Sequence, residues 1–188
     1  DFNIQKLSRE KVLATVIKVM ERTHIRIGND EYAEENNSYG LTTLLNKHVD
    51  VIGSKVKFHF RGKSGVQHTS TLADSRISRI IKKCQELPGQ ELFGFIDEEG
   101  HAQDITSHHV NRYLRDVVGE PLTAKDFRTW GASVRAVELL LNQPPLTNPT
   151  QQALKKAECE MIKKAASSLG NTVAVCRKYY VHPQLIQL

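Results

Sequence analysis

The sequence predicts an α+β fold that is mainly α-helical, with one small antiparallel β-sheet set among the helices. Apolar residues recur at helical spacing along most of the chain, each run preceded by a residue suited to capping a helix. Between Val49 and Leu72 the period changes to two. At 188 residues the chain has the length of one ordinary domain, able to bury a core without disulfides or metals.

The elements follow in order. Ser8 can cap a helix in which Val12, Leu13, Val16, Ile17 and Met20 form one face; Gly28 marks a break, and this helix delivers Arg26 at its far end. Val56, Phe58 and Phe60 then alternate with Lys55, Lys57 and His59. Turn signals at Gly53, Ser54 and from Arg61 to Gly65 complete a small sheet whose second turn carries Lys63 at its tip. Asp74 caps a helix through Ile77, Ile80, Ile81 and Cys84, stopped by Pro88 and Gly89. Downstream the chain reads as mainly helical. Thr106 or Ser107 caps the segment from His108 to Val118, Thr123 that from Ala124 to Leu141, and Asn148 or Thr150 that from Gln151 to Leu169, with Gly170 as a stop; a last short helix holds Val173 to Tyr180. Pro144, Pro145 and Pro149 form a linker too short to separate domains, so residues 1–188 read as a single domain with the sheet, about 49–72, inserted among helices. No repeat or low-complexity tract is present.

Lys and Arg number 26 against 21 Asp and Glu, a formal charge of +5 and a pI near 9.1, which favours a polyanionic partner without naming one. Cys84, Cys159 and Cys176 are odd in number and lie far apart. They suggest neither a disulfide framework nor a zinc site, and a reducing, intracellular setting fits them. No apolar run approaches the roughly 18 residues of a membrane span, and Asp1 to Lys6 lack a signal-peptide layout, so a soluble protein is expected. A start at Asp1 rather than Met reads as that of a piece excised from something longer. His101, His108 and His109 come nearest to a metal cluster, but no carboxylate or cysteine partner shows ligand spacing, and a solvated basic surface is the expected role.

Four segments carry chemistry: IRIGNDEY (Ile25 to Tyr32) with SYGLTTL (Ser38 to Leu44), FRGKSG (Phe60 to Gly65), KDFRTW (Lys125 to Trp130) and VCRKYYVHP (Val175 to Pro183). Taken singly, Arg26 and Arg128 read as surface arginines, Lys63 as a solvated hairpin residue and Tyr180 as a half-buried core ring. Taken together and in this order, the segments resemble type IB DNA topoisomerases of the small bacterial and viral branch, over nearly the whole chain. The resemblance implies the catalytic fold shared by tyrosine recombinases and type IB topoisomerases. It makes Arg26 and Arg128 the holders of the scissile phosphate and Lys63, on its hairpin turn, the general acid. Tyr179 and Tyr180 compete as nucleophile; the family's tyrosine follows a basic pair by one residue and precedes a proline, which selects Tyr180. Asn171, nine residues earlier, stands where viral members have a histidine that bonds a nonbridging phosphate oxygen, and Asn can still donate one hydrogen bond. Lys125 matches a lysine beside the cleaved phosphate. Asn29 and Tyr32 read equally as major-groove contacts or as a helix cap and a packed ring. Trp130 is expected in the core, fixing the helix that aims Arg128.

The implied chemistry suits these residue types. A phosphodiester attacked in line gathers charge on its nonbridging oxygens, which planar guanidiniums stabilise bidentately. A lysine can protonate the leaving 5′ oxygen, and clustered positive charge favours an attacking phenolate. Exchange of one phosphodiester for another conserves bond energy, so neither ATP nor a metal is required. The sequence has no GxxxxGK[ST] loop and no carboxylate cluster suited to magnesium, and no cofactor is expected. The expected activity is cleavage and religation of one strand of double-stranded DNA through a 3′-phosphotyrosyl bond, relaxing supercoils. The alternatives are a tyrosine recombinase catalytic domain or a nonenzymatic DNA-binding module. The recombinase signature has a histidine where Lys125 stands, and the intact set of Arg26, Lys63, Arg128 and Tyr180 speaks against a relic. A monomer is expected, with no membrane and no small-molecule cofactor as partner, in a bacterial cytoplasm or nucleoid, or in a virion or its host's cytoplasm. The family's N-terminal β domain, which closes the clamp on DNA, is expected to lie outside these residues. Binding by them alone should then be weaker and steeply salt-dependent.

Overall fold

The computed structural model describes residues 7–142, 144 and 149–186. The chain divides into two compact units between Ala124 and Lys125. The boundary lies in the first turn of a helix, where no change of composition marks it. Asp1 to Lys6, the linker residue Pro145 and the candidate cap Asn148 lie outside the described residues.

In unit one, helix α1 (Arg9–Thr23) starts where the Ser8 hydroxyl accepts the Lys11 N–H at 3.4 Å. Val12, Leu13, Val16, Val19 and Met20 are buried along it, and His24, in the left-handed region at φ 53°, ends it. Arg26 therefore lies beyond the helix, on an extended connector. A short helix not predicted from sequence, α2 (Asp30–Asn36), follows. Strands β1 (Val49–Ile52), β2 (Lys55–Arg61) and β3 (Gln67–Ala73) form an antiparallel sheet in that order, with Phe58 opposite Ser70 and Phe60 opposite His68. Along β2, Val56, Phe58 and Phe60 are buried while Lys55, Lys57 and His59 face water, as a strand period of two requires.

Asp74 caps α3 (Ser75–Gln85), its carboxylate accepting the Arg76 and Ile77 N–H groups at 2.9 and 3.0 Å. That helix ends at Gln85, short of the predicted stop at Pro88. Ile77, Ile81 and Cys84 face inward, and burial pushes the Cys84 thiol up to about 12, which makes it a packing group rather than a reactive one. A second small hairpin, β4 (Gly94–Ile96) with β5 (Ala102–Asp104), interrupts what was expected to be helical. Thr106 then caps α4 (Ser107–Val118), which Gly119 ends at φ 75°. Helix α1 packs against α3, α4, β3 and β4, so the core of unit one is built around it.

Unit two consists of α5 (Ala124–Leu141, entering from the last residue of unit one), α6 (Gln151–Leu169), α7 (Val173–Tyr179) and a 3-10 turn, Pro183–Ile186. Thr150 and Thr172 cap α6 and α7, and Gly170 ends α6 in the left-handed region at φ 62°. Ala132 and Ala136 of α5 pack with Met161, Ile162, Ala165, Ala166 and Leu169 of α6, and with Cys176 and Val181. Burying the large members of this group contributes about 1.5–3 kcal/mol each. The expectation that Trp130 belongs to this core is corrected, because Trp130 is 74 % exposed. Arg128, Ala132 and Ala136 define the inward face of α5. A residue two positions after Arg128 lies about 200° further around the helix, on the side facing water.

Candidate active site

Each unit assembles part of the predicted set. In unit one the connector carrying Arg26 is pinned edge to edge on the SYGLTT segment. The Leu41 N–H donates to the Arg26 carbonyl at 2.8 Å, and the Thr42 N–H and hydroxyl donate to the Ile27 carbonyl at 2.7 and 2.9 Å. Two glycines permit this approach. Gly28 takes φ 104°, and a Cβ on Gly40 would lie 2.4 Å from the Gly28 nitrogen and 2.7 Å from the Arg26 oxygen.

The same segment is tied to the Lys63 hairpin. The Tyr39 N–H donates to the Arg61 carbonyl at 2.8 Å, and rings run in contact from Tyr39 through His48 and Phe60 to His68, with centroid separations of 4.5, 6.5 and 5.4 Å. Burial, with Lys47 and His59 nearby, lowers the His48 pKa, and its Nδ1 accepts the Leu45 N–H at 3.1 Å. A Cβ at residue 62 would come within 2.4 Å of the stacked His68 ring, which would have to shift to admit it. Beyond Gly62 the chain turns through Ser64 (φ 61°) and Gly65 (φ 73°), closed by the Gly62 N–H on the Val66 carbonyl at 2.8 Å. Lys63 stands exposed on this turn with its Nζ 6.0 Å from the centre of the Tyr32 ring. Asn29 caps α2, accepting the Tyr32 N–H at 2.8 Å, so the cap expected as one alternative is present.

In unit two, Arg128, Asn171 and Tyr180 meet. Arg128 is only 4 % exposed; its Nη2 donates to the Leu169 carbonyl at 2.8 Å and to Asn171 Oδ1 at 3.1 Å, and its guanidinium lies over the Tyr180 ring, 5.4 Å from the centroid. The Leu169 carbonyl belongs to the C-terminal end of α6, where helix carbonyls lack intrahelical partners and attract positive charge. Asn171 is held through its amide oxygen by Arg128. The two tyrosines differ sharply. Tyr180 is partly buried against the core, whereas Tyr179 is 52 % exposed, with Lys178 Nζ 5.1 Å from its ring centre. Cys176, below Tyr180, has its thiol pKa raised by burial, partly offset by Arg128. Lys125 is exposed in the first turn of α5.

Sequence reasoning missed Ser133. Its hydroxyl donates to the Tyr180 carbonyl at 3.3 Å and accepts the His182 N–H at 3.0 Å. Nothing in the sequence pointed to it. The expectation that no carboxylate accompanies the histidines is also corrected: the β4–β5 turn gathers Asp97, Glu99 and His101 with potential ligand atoms within 4.8 Å of one another. The Asp97 carboxylate is already engaged, accepting the Glu99 and His101 N–H groups at 3.1 and 2.8 Å and the Gln103 amide at 2.9 Å, which closes the turn. No helix among the described residues is long and apolar enough to cross a membrane.

Residues 2–187 match the family described as eukaryotic DNA topoisomerase I, catalytic core. DNA topoisomerase 1B of Acanthamoeba polyphaga mimivirus is 30 % identical over 193 residues, an alignment covering 100 % of this chain and 57 % of the viral protein. DNA topoisomerase 1 of Rabbit fibroma virus (strain Kasza) is 27 % identical over 172 residues, covering 88 % of this chain and 50 % of that protein. The chain thus spans little more than half the length of these relatives. Among solved structures, a XerH site-specific recombinase bound to its difH substrate is similar with a TM-score of 0.48 at 15 % identity, over 96 % of this chain and 50 % of that one.

Proposed function

The chain belongs to the DNA topoisomerase I catalytic-core family, on the poxvirus-like type IB side of it, and from that premise we propose that it cleaves and reseals one strand of double-stranded DNA through Tyr180. Tyr180 gives up its phenolic proton to solvent, and the phenolate oxygen attacks the phosphorus in line, forming a phosphotyrosyl bond to the 3′ side as the bond to the 5′ oxygen breaks. Lys63 gives its proton to that leaving oxygen. Arg26 and Arg128 take up the charge gathering on the nonbridging oxygens, and the Asn171 amide nitrogen adds a neutral donor. Between cleavage and resealing the free 5′ end swivels, relaxing supercoils. Resealing runs the same step backwards, with the 5′ hydroxyl attacking, its proton returning to the lysine, and the released Tyr180 phenolate taking a proton back from solvent.

Each step exchanges one phosphodiester for another, so no nucleotide is consumed, and the two guanidiniums and the ammonium supply the positive charge that a metal supplies in other phosphoryl transfers. The observation that carries the reading is the meeting of Arg128, Asn171 and Tyr180: a buried guanidinium oriented by a carbonyl and an amide oxygen, over the face of one of two adjacent tyrosines. Asn29, Tyr32 and Lys125 belong to the same proposal as DNA contacts.

A suicide substrate tests it. A nicked duplex incubated in EDTA without ATP should leave a protein–DNA adduct that survives denaturation, retained in Tyr179→Phe and lost in Tyr180→Phe. An adduct that persists in Tyr180→Phe sinks the assignment, and relaxation of a supercoiled plasmid under the same conditions tests the topoisomerase reading against strand exchange.

A further inference from the structure

The nucleophile assigned above stands just past the end of a helix. The Tyr180 and Val181 N–H groups both donate to the Cys176 carbonyl at 3.0 Å, and Tyr180 has left helical geometry at φ −125°, ψ −39°. The ladder of α7 therefore stops at this residue, and neither the Tyr180 carbonyl nor the His182 N–H has a helical partner. Ser133 meets both. A serine hydroxyl carries one donor and two acceptor lone pairs, so the bond to the Tyr180 carbonyl at 3.3 Å and the bond from the His182 N–H at 3.0 Å can exist together. They fall on either side of Val181, whose buried side chain fixes the same stretch from the core.

Ser133 lies on α5, about 1.4 turns after Arg128, and α5 is also the helix whose guanidinium covers the Tyr180 ring. We propose that Ser133 is a positioning residue for the nucleophile: by pinning the main chain after Tyr180 to the helix that carries Arg128, it sets the phenolic oxygen against the charge that stabilises the phosphate. The proposal rests on Tyr180 being the nucleophile. Ser133 touches neither DNA nor the reacting atoms in this role, and it acts through the offset of one side chain from another. Displacement by about 1 Å is enough to cost roughly 100-fold in rate when the reacting groups must be aligned.

The test compares Ser133→Ala, Ser133→Cys and Ser133→Thr with the unaltered protein in three measurements: the single-turnover rate of adduct formation at saturating nicked duplex, duplex affinity in a Tyr180→Phe background, and amide hydrogen exchange at His182. Ser133→Ala should slow cleavage about 10- to 100-fold, leave affinity within about twofold and speed exchange at His182; Ser133→Thr, which keeps the hydroxyl, should restore both rate and protection. Wild-type cleavage alongside fast His182 exchange would overturn the positioning role, unchanged exchange would overturn the clamp itself, and equal losses of rate and affinity would reduce Ser133 to a general structural residue. If Ser133→Ala does not fold, Ser133→Cys decides on the same readouts, since its weak S–H donor should lower the rate several-fold. An adduct surviving in Tyr180→Phe, seen without any Ser133 variant, would instead overturn the nucleophile assignment and this proposal with it.

Discussion

Replacing Gly40 by alanine should disable Arg26 without touching it. The added Cβ would stand 2.4 Å from the Gly28 nitrogen, 2.5 Å from the Gly28 Cα and 2.7 Å from the Arg26 oxygen, all main-chain atoms that cannot rotate away. Ordinary contact begins near 3.4 Å, so the Arg26 connector has to retreat by about 1 Å. The φ of Gly40, −139°, is open to any residue, so the damage comes from crowding alone. Overpacking of this kind costs about 1–3 kcal/mol of stability. If Arg26 holds the phosphate as proposed, a displacement of about 1 Å lowers the cleavage rate about 100-fold, equivalent to about 2.7 kcal/mol. The control is Gly53→Ala, where φ is 59° but nothing lies within 4 Å of the added carbon. Its backbone strain costs about 1–2 kcal/mol with no push on any site residue. Thermal melts and single-turnover cleavage at saturating duplex separate the two. Both variants should melt early, and only Gly40→Ala should cleave slowly; wild-type cleavage by folded Gly40→Ala would refute the claim that this contact positions Arg26.

Three further outcomes are expected. Arg128→Lys, which keeps the charge but replaces the planar fork held by the Leu169 carbonyl and Asn171 with a flexible ammonium, should slow adduct formation about 100-fold under the proposed role, the loss of about 3 kcal/mol at the transition state; a fall under threefold would show that charge alone suffices. Glu91, partly buried and facing Asp104 and Asp30, has its pKa raised from 4.5 to about 7. The folded state holds its proton more tightly than the unfolded chain, so stability is fullest below pH 4.5, declines as pH rises towards 7 and stays lower above it. Glu91→Gln should therefore raise stability by about 1 kcal/mol at pH 8, after discounting for solvent screening, with no gain at pH 4.5; urea melts at the two pH values check it. Trp130→Gln should change stability by less than about 0.5 kcal/mol, as expected of an exposed side chain, and a larger loss in urea melts would restore Trp130 to a packing role.

The fold was legible where a capping residue and a period coincided. Ser8, Asp74, Thr106 and Thr150 each start the helix expected of them, and the alternation of β2 marks its buried face. Helix α2 escaped because DEYAEEN buries only Ala33, which leaves no apolar period to detect, although Asn29 followed by Asp30 and Glu31 has the chemistry of a helix start. Strands β4 and β5 are three residues each, too short for alternation to register. Trp130 was misread by its size, when its offset of two from Arg128 already put the two on different faces. Within the site, the resemblance of four segments supplied the candidates, of which Arg128, Asn171 and Tyr180 lie together in unit two. What was not readable is the work of small groups: Gly40 is legible as a glycine but not as the surface on which Arg26 lies, and Ser133 gives no sign in sequence of the two main-chain groups it joins.

Helix α5 acts on unit two as a ruler does on parts clamped to it. Arg128 grips Leu169 and Asn171 at one graduation and Ser133 grips Tyr180 and His182 at another, and the gripped groups all lie on the single stretch of chain from 169 to 182. When such a rod tilts or slides, both grips move in the same sense. Motion of the rod as a whole would then carry the Arg128 backbone and the main chain at Tyr180 together, leaving bending of the rod between the two marks and rotation of the two side chains as the ways to change the separation of guanidinium and phenol.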